Sequence, residues 1–233
     1  MASARAHAPE DVEKGLDKTL KDLGTDYLDL FLMHWPVAFK SGDDWFPIDS
    51  DGVFQLADID PAVTYGAMEK LLDTGKVRAI GVSNFTKDRL DSLLSKTKIV
   101  PAVNQIEAHP YLQQSELFNY CKRVRTRTVD DPLVAKLGEK LGLDIGQVLY
   151  SWGVQRGSVV LPKSVTPSRI ESNLQVKELP QDAFEKLNGL ERNKRYNWQT
   201  RWGFDIFQEL GEDEVKKVAR ETGPENLEKF GKK

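Results

Sequence analysis

A repeated alternation of helical and strand-like segments is the feature that most constrains how this chain can fold. The predicted strands are four apolar runs: YLDLFLM (27–33), VRAIGV (77–82), PAVNQIE (101–107) and GSVVLP (157–162). Helix start signals precede the first three runs, at Pro9, at Asp60-Pro61 and at Thr86. Strands that alternate with helices of this length form parallel βα units. Continuous apolar strands are typical of a sheet whose far face is covered. The sequence therefore predicts an α/β fold.

Composition excludes several classes of partner. The chain has 233 residues, of which 39% are hydrophobic and 30% charged, and its net charge is -3. An acidic balance does not favour nucleic acid or acidic lipid, and no apolar run reaches the ~18 residues that cross a bilayer. A single cysteine, Cys121, excludes an internal disulfide framework and a Cys-rich zinc site, and no other metal site is predicted. We expect one domain over 1–233, located in the cytoplasm, with neither a nucleic acid nor a membrane as partner.

Polar side chains follow the predicted strands at their carboxyl ends. These residues are His34; Ser83 and Asn84; Gln105, Glu107 and His109; Lys163 and Ser164. Each of them alone fits an ordinary loop, cap or core position. Together they fit a (β/α)8 barrel, in which the carboxyl ends of the strands converge on one site. His34 is then predicted to lie at the mouth of the barrel.

The last strand end has the features of an anion site. Lys163 and Ser164 precede a predicted helix that begins at Thr166-Pro167, has Arg169 in its first turn and carries Ile170 and Leu174. Free backbone N–H groups and the helix dipole favour an anion at such a position. A helix start with solvated basic side chains fits this stretch equally well.

Four long motifs together resemble the aldo-keto reductases. They are DYLDLFLMHWP (26–36), GKVRAIGVSNF (75–85), VNQIEAHPY (103–111) and LPKSVTPSRIESNLQV (161–176). The resemblance implies a (β/α)8 TIM barrel that reduces an aldehyde or ketone to an alcohol with NADPH. It also implies a small-molecule carbonyl substrate and a monomer for the complete family fold. The tail 193–233, with RYNWQTRWGFD (195–205), is similar to the pocket-closing tail of fungal small-aldehyde and polyol reductases.

The resemblance also implies roles for individual residues. His34 is expected to orient the substrate carbonyl, and Trp35 to form a wall of the substrate pocket. The expected cofactor contacts are Ser83, Asn84 and Gln105 with the nicotinamide carboxamide, Lys163, Ser164 and Arg169 with the 2′-phosphate, and Asn173 with the adenine. The position beside Asn173 is Ser172 here, where the family has a glutamate.

Two departures from the family pattern lead to further expectations. The family's aspartate, tyrosine and lysine lie on strands that would precede Pro9, where this sequence has MASARAHA (1–8). After Cys121, RVRTRTVDDP (123–132) stands where the family has a strand that ends in a nicotinamide-stacking aromatic. The sequence thus predicts an incomplete barrel of about four parallel strands that is inactive alone and tends to associate or aggregate. A non-catalytic cofactor- or partner-binding module and a gene-model fragment are the alternatives.

Overall fold

A computed structural model describes residues 6–42, 44, 46–123 and 142–231. The helices are α1 (Pro9–Leu23), α2 (Pro61–Leu71), α3 (Lys87–Leu94), α4 (Ser115–Arg123), α5 (Ile145–Gln155), α6 (Pro167–Ser172), α7 (Gln181–Asn188), α8 (Glu212–Glu221) and α9 (Gly223–Phe230). The strands are β1 (Phe31–Met33), β2 (Ala38–Phe39), β3 (Leu56–Ala57), β4 (Ile80–Ser83) and β5 (Asn104–Gln105). The chain divides into two compact units, the first formed by 1–103 with 198–233 and the second by 104–197.

Local capping signals set the helix boundaries in the first unit, as the sequence predicts. Pro9 opens α1, and Gly24 ends it in the left-handed conformation with φ 66°. The Asp60 side chain accepts a hydrogen bond from the backbone N–H of Ala62 at 2.9 Å at the start of α2. The Thr86 hydroxyl accepts one from the backbone N–H of Arg89 at 3.4 Å at the start of α3. Side-chain oxygens at these positions satisfy N–H groups that have no partner within the helix.

Two short buried strands form the centre of the first unit. Strand β1 pairs with β4 in parallel, with Leu32 opposite Gly81. The other edge of β4 bonds to the next segment, where the Val82 N–H donates to the Val103 carbonyl at 2.8 Å. A side chain at position 81 would meet that carbonyl at 2.7 Å and the Leu32 side chain at 2.8 Å. Glycine is therefore required there, because the strands approach too closely for a Cβ atom.

The second unit has its own apolar core around α5. Asp144 and Gln147 form a reciprocal capping box at the start of this helix. Trp152 is fully buried in a cluster with Leu143, Val148, Leu149, Leu179 and Leu187. The cluster fixes α5 against α7 and the segment that precedes α7.

Three of the four predicted strands are present, and the prediction for the fourth is wrong. Residues 157–162 form no strand, and among the described residues they pair with none. Val159 and Leu161 are exposed, so no neighbouring backbone covers this apolar run. A strand needs a partner ladder, and an apolar composition alone does not supply one.

The helix after this segment begins at the predicted place and carries Ile170, but it ends before Leu174, so the prediction that it also carries Leu174 is wrong. Helix α6 starts at Pro167 and ends at Ser172, before Leu174. Ile170 is 51% exposed and Leu174 84% exposed. The helix contacts α5 through polar groups instead, since the Gln147 amide donates to the Ser172 carbonyl at 3.1 Å.

No helix in the described part of the chain is long and apolar enough to cross a bilayer. The predicted replacement of a strand by residues 123–132 falls, from residue 124 onward, outside the described residues.

Candidate functional site

His34 follows β1 directly and lies half-buried at its carboxyl end. Burial lowers the pKa of the imidazole to about 4, so the ring is neutral at pH 7. Among the described residues the ring makes no hydrogen bond; it contacts the Trp35 ring with centroids 5.3 Å apart. A neutral imidazole has one N–H that can donate to a ligand oxygen.

A second histidine is buried in the same unit. His7 is 1% exposed, and its ring nitrogens have no hydrogen-bond partner among the described residues. Burial, with a smaller repulsion from His34, lowers the pKa of His7 to about 4. The Thr64 hydroxyl donates to the backbone carbonyl of His7 at 2.7 Å, which attaches this residue to α2.

Ser83 and Asn84 end the neighbouring strand and meet the residue after β1. The Asn84 amide Nδ2 donates to the backbone carbonyl of His34 at 2.9 Å and to the Ser83 hydroxyl at 3.1 Å. Asn84 is buried and has φ 63°, a left-handed conformation that asparagine tolerates better than most residues. The bond joins the carboxyl ends of two parallel strands, so the structure brings His34, Ser83 and Asn84 together as the sequence predicts.

Trp35 is buried in an aromatic cluster of the first unit. Its ring lies edge-on to Trp202 at 5.2 Å and to Phe207 at 6.5 Å between centroids. The other buried members of the cluster are Val37, Phe39, Phe54 and Ile206. The predicted tail therefore does contribute aromatic side chains beside Trp35, the residue next to His34.

The second unit contains Gln105 and, beyond it, a buried acid that the sequence prediction left without a role. Glu107 accepts hydrogen bonds from the backbone N–H groups of Tyr196 at 2.8 Å and Asn197 at 2.9 Å. Its carboxylate also contacts His109 Nε2 at 2.8 Å. Gln105 itself is half-buried in β5.

The pKa of Glu107 follows from these contacts. Burial raises the pKa of this carboxyl, but the bonds from His109, Tyr196 and Asn197 outweigh burial and lower it from the ordinary value of 4.5. The acid at an otherwise apolar strand end is a signal in the sequence, and His109 is only two residues away, but the two backbone donors, Tyr196 and Asn197, are 89 and 90 residues away. Sequence reasoning therefore could not assign its role.

Lys163, Ser164 and Arg169 flank the start of α6 in the second unit. The Ser164 hydroxyl accepts a bond from the backbone N–H of Thr166 at 3.0 Å, so it shapes the turn into the helix. Lys163 and Arg169 are exposed, and within the described ranges neither side chain has an acidic partner. Asn173 follows the helix, and its side-chain oxygen lies 3.6 Å from where a Cβ on Gly146 would be.

Each unit by itself contains a feature that suits one part of a nicotinamide dinucleotide. In the second unit, Lys163 and Arg169 beside a helix start, with no acidic partner in the described ranges, are suitable for a phosphate group. In the first unit, the Asn84 side-chain oxygen has no partner among the described residues, so it can accept a bond from a carboxamide. The described residues contain no group of three or more His, Cys, Asp and Glu side chains that could coordinate a metal ion.

The sequence matches the family described as Aldo/keto reductase family over residues 1–130. It is 42% identical over 213 residues to aldo-keto reductase family 1 member A1 of Xenopus tropicalis, covering 82% of this chain and 65% of that protein. It is 40% identical over 229 residues to an uncharacterised oxidoreductase of Schizosaccharomyces pombe, covering 88% of this chain and 71% of that protein. The chain thus spans just under two thirds of the length of the vertebrate relative.

Among solved structures, the fold resembles the aldose reductase of Schistosoma japonicum. The TM-score is 0.78 at 37% sequence identity, with 83% of this chain and 68% of that chain covered. An α/β fold of the TIM-barrel type is therefore the architecture to which the described residues are similar.

Proposed function

Because this chain belongs to the aldo/keto reductase family, we propose that it binds NADPH and a small-molecule aldehyde or ketone for reduction to an alcohol. The observation that supports this proposal is the bonded group His34, Ser83 and Asn84 at adjacent strand ends. Such ends of parallel strands are where barrel enzymes place their reacting groups. We also propose that the described residues form part of a (β/α)8 barrel.

His34 is proposed to orient the carbonyl. Its imidazole is neutral at pH 7, because burial lowers its pKa to about 4, and it can donate one N–H to the carbonyl oxygen. A donor fixed beside a reacting carbonyl favours the charge that develops on the oxygen. NADPH, when bound, supplies the hydride.

The remaining proposed site residues bind the cofactor. Ser83, Asn84 and Gln105 are proposed to contact the carboxamide, and Asn173 the adenine. Asn84 suits this role because its Nδ2 is used within the chain, while its side-chain oxygen has no partner in the described part of the structure. Lys163, Ser164 and Arg169 are proposed to bind the 2′-phosphate and so to favour NADPH over NADH.

A titration tests the cofactor proposal. Lys163→Ala and Arg169→Ala are each expected to weaken NADPH binding by ~1.5–3 kcal/mol, because each removes a charge-assisted bond to the phosphate. NADH binding should change little. Lys21→Ala, which removes an exposed cation on α1, is the matched control and should affect neither cofactor. Equal losses for both cofactors would contradict the 2′-phosphate assignment.

We further propose that the 233-residue chain turns over carbonyl substrates poorly by itself. Within this sequence, His34 is the one position that matches the family's acid–base set. A positioned proton donor typically contributes ~10²–10⁴ in rate. NADPH oxidation with glyceraldehyde is therefore expected to proceed at the rate of the blank without protein, and clear turnover would refute this part of the proposal.

A further inference from the structure

Helix α9 (Gly223–Phe230) contacts a tight turn of the chain in the first unit without any intervening side chain. The turn, residues 49–53, joins the segment from Phe46 to strand β3. Gly52 has φ 78°, and a Cβ added to it would overlap the carbonyl of Gly223. Conversely, a Cβ on Gly223 would overlap the carbonyl of Asp51. The two backbones can approach this closely only because both positions are glycine.

A buried hydrogen bond secures the same contact. Asn226 is 1% exposed, and its Nδ2 donates to the carbonyl of Gly52 at 3.0 Å. The turn itself is closed by the Asp49 carboxylate, which accepts from the backbone N–H groups of Asp51 and Val53 at 2.9 Å each. The turn is closed by its own hydrogen bonds and is also hydrogen-bonded to α9. It is therefore a rigid support for this helix.

Aromatic rings extend this support to the cluster around Trp35. Phe230, at the end of α9, lies 5.7 Å from Phe54 between ring centroids. Phe54 stacks on Phe39 at 5.5 Å, and Phe39 lies edge-on to Trp202 at 5.0 Å. Trp202 in turn contacts Trp35, the neighbour of His34. The series of ring contacts is therefore continuous from α9 to Trp35, the residue beside His34.

We propose that Gly223 and Asn226 are positioning residues for the carbonyl substrate, because they fix α9 on the turn at Gly52 and thereby fix Phe54 and Phe39 beside Trp202 and Trp35. The proposal rests on the proposed function for its substrate. Trp35 is the expected wall of the substrate pocket and is packed against this buried cluster, so a shift of the cluster changes the position of Trp35 and with it the ring contacts to an aromatic group, which depend on geometry. Loosening α9 then changes the affinity for an aromatic carbonyl and leaves the NADPH contacts unchanged.

Two variants of the full 233-residue chain test this. Gly223→Ala introduces the overlapping Cβ; alanine is the better helix former, so any loss comes from the contact and not from α9 itself. Asn226→Asp keeps the size of the side chain and removes the donor to Gly52. Gly66→Ala is the matched control, because a Cβ at this helical glycine in α2 meets nothing within 4 Å.

The first measurement is amide hydrogen exchange, which does not depend on any ligand. The N–H of Gln55 donates to the Pro47 carbonyl at 2.8 Å, and the N–H of Lys40 to the Gln55 carbonyl at 2.9 Å. Both amides are expected to exchange about tenfold faster in the two test variants. Amides within α3 should be unaffected in all three. Unchanged exchange rates at Gln55 and Lys40 would show that α9 does not stabilise the turn and the strands beside it, and would overturn the proposal.

The second measurement is binding of 4-nitrobenzaldehyde, followed by quenching of tryptophan fluorescence, with an NADPH titration in parallel. Affinity for the aldehyde is expected to fall about fivefold or more in the test variants, with the NADPH affinity and the control unchanged. Faster exchange with unchanged aldehyde affinity would overturn the positioning role. An unmodified chain that binds NADPH but no aldehyde would refute the proposed substrate, and the exchange result would then decide the support by α9 alone.

Discussion

Trp152→Ala is expected to lower the free energy of unfolding of the second unit by ~3–5 kcal/mol, since it removes a large, fully buried side chain from a packed core. Trp152 is 0% exposed. Its indole N–H donates to the Asn188 side-chain oxygen at 2.9 Å, and the Arg156 guanidinium lies 4.5 Å from its ring. The substitution therefore leaves a cavity, takes the indole donor from the Asn188 side-chain oxygen and removes one of the two ring contacts of the Arg156 guanidinium, which also lies over Phe118.

Urea unfolding followed by circular dichroism measures this effect. Val154→Ala is the matched control, because Val154 lies on the same helix and is 44% exposed; its change should stay within ~0.5 kcal/mol. Trp152→Phe keeps an aromatic ring but loses the hydrogen bond to Asn188. Its loss of unfolding free energy should therefore lie between those of Val154→Ala and Trp152→Ala. A cost for Trp152→Ala no larger than that of Val154→Ala would show that this core does not stabilise the unit.

The sequence predicts the start and end of helices well in this chain because those signals are local. Gly24 ends α1 and Asp60 and Thr86 begin α2 and α3 at the expected positions. Each acts on N–H or carbonyl groups within four residues of itself, so its effect does not depend on the rest of the fold. The pairing of His34 with Asn84 is also predictable, because two parallel strands of similar length bring their carboxyl ends together.

The strand prediction for 157–162 failed for the opposite reason. Strand formation depends on a neighbour in space, and the apolar run contains no information on whether a neighbour is present. The same holds for the aromatic cluster, in which Phe39 meets Trp202 across more than 160 residues of sequence. The contact between Gly52 and Gly223 is equally remote, and a glycine in a turn and a glycine at the start of a helix give no sign in the sequence that they face each other.

Glu107→Gln is the second substitution with a large expected effect. At pH 7 we expect a loss of ~1.5–3 kcal/mol, the usual value for bonds to a charged group. One carboxylate oxygen receives the Tyr196 N–H and the contact with His109, and the other receives the Asn197 N–H. A glutamine can reproduce the first oxygen, but its amide group then faces the Asn197 N–H as donor against donor. The side chain is 7% exposed, so water cannot readily replace the lost bond.

The loss should depend on pH in a direction set by the pKa of Glu107. The contacts lower this pKa below its ordinary value of 4.5, so the folded state binds the proton less tightly than the unfolded state. The carboxylate therefore contributes its full stabilisation above about pH 4.5, and this contribution disappears as the pH falls through the folded-state pKa. Urea unfolding of the unmodified chain and of Glu107→Gln should differ most at pH 7 and converge in acid. Glu116→Gln, at an exposed position in α4, is the control and should match the unmodified chain at both pH values. The contrary result is a difference in the free energy of unfolding between the unmodified chain and Glu107→Gln that stays constant down to pH 3. It would mean that the ionised carboxylate does not stabilise the contact of Tyr196 and Asn197 with the end of β5.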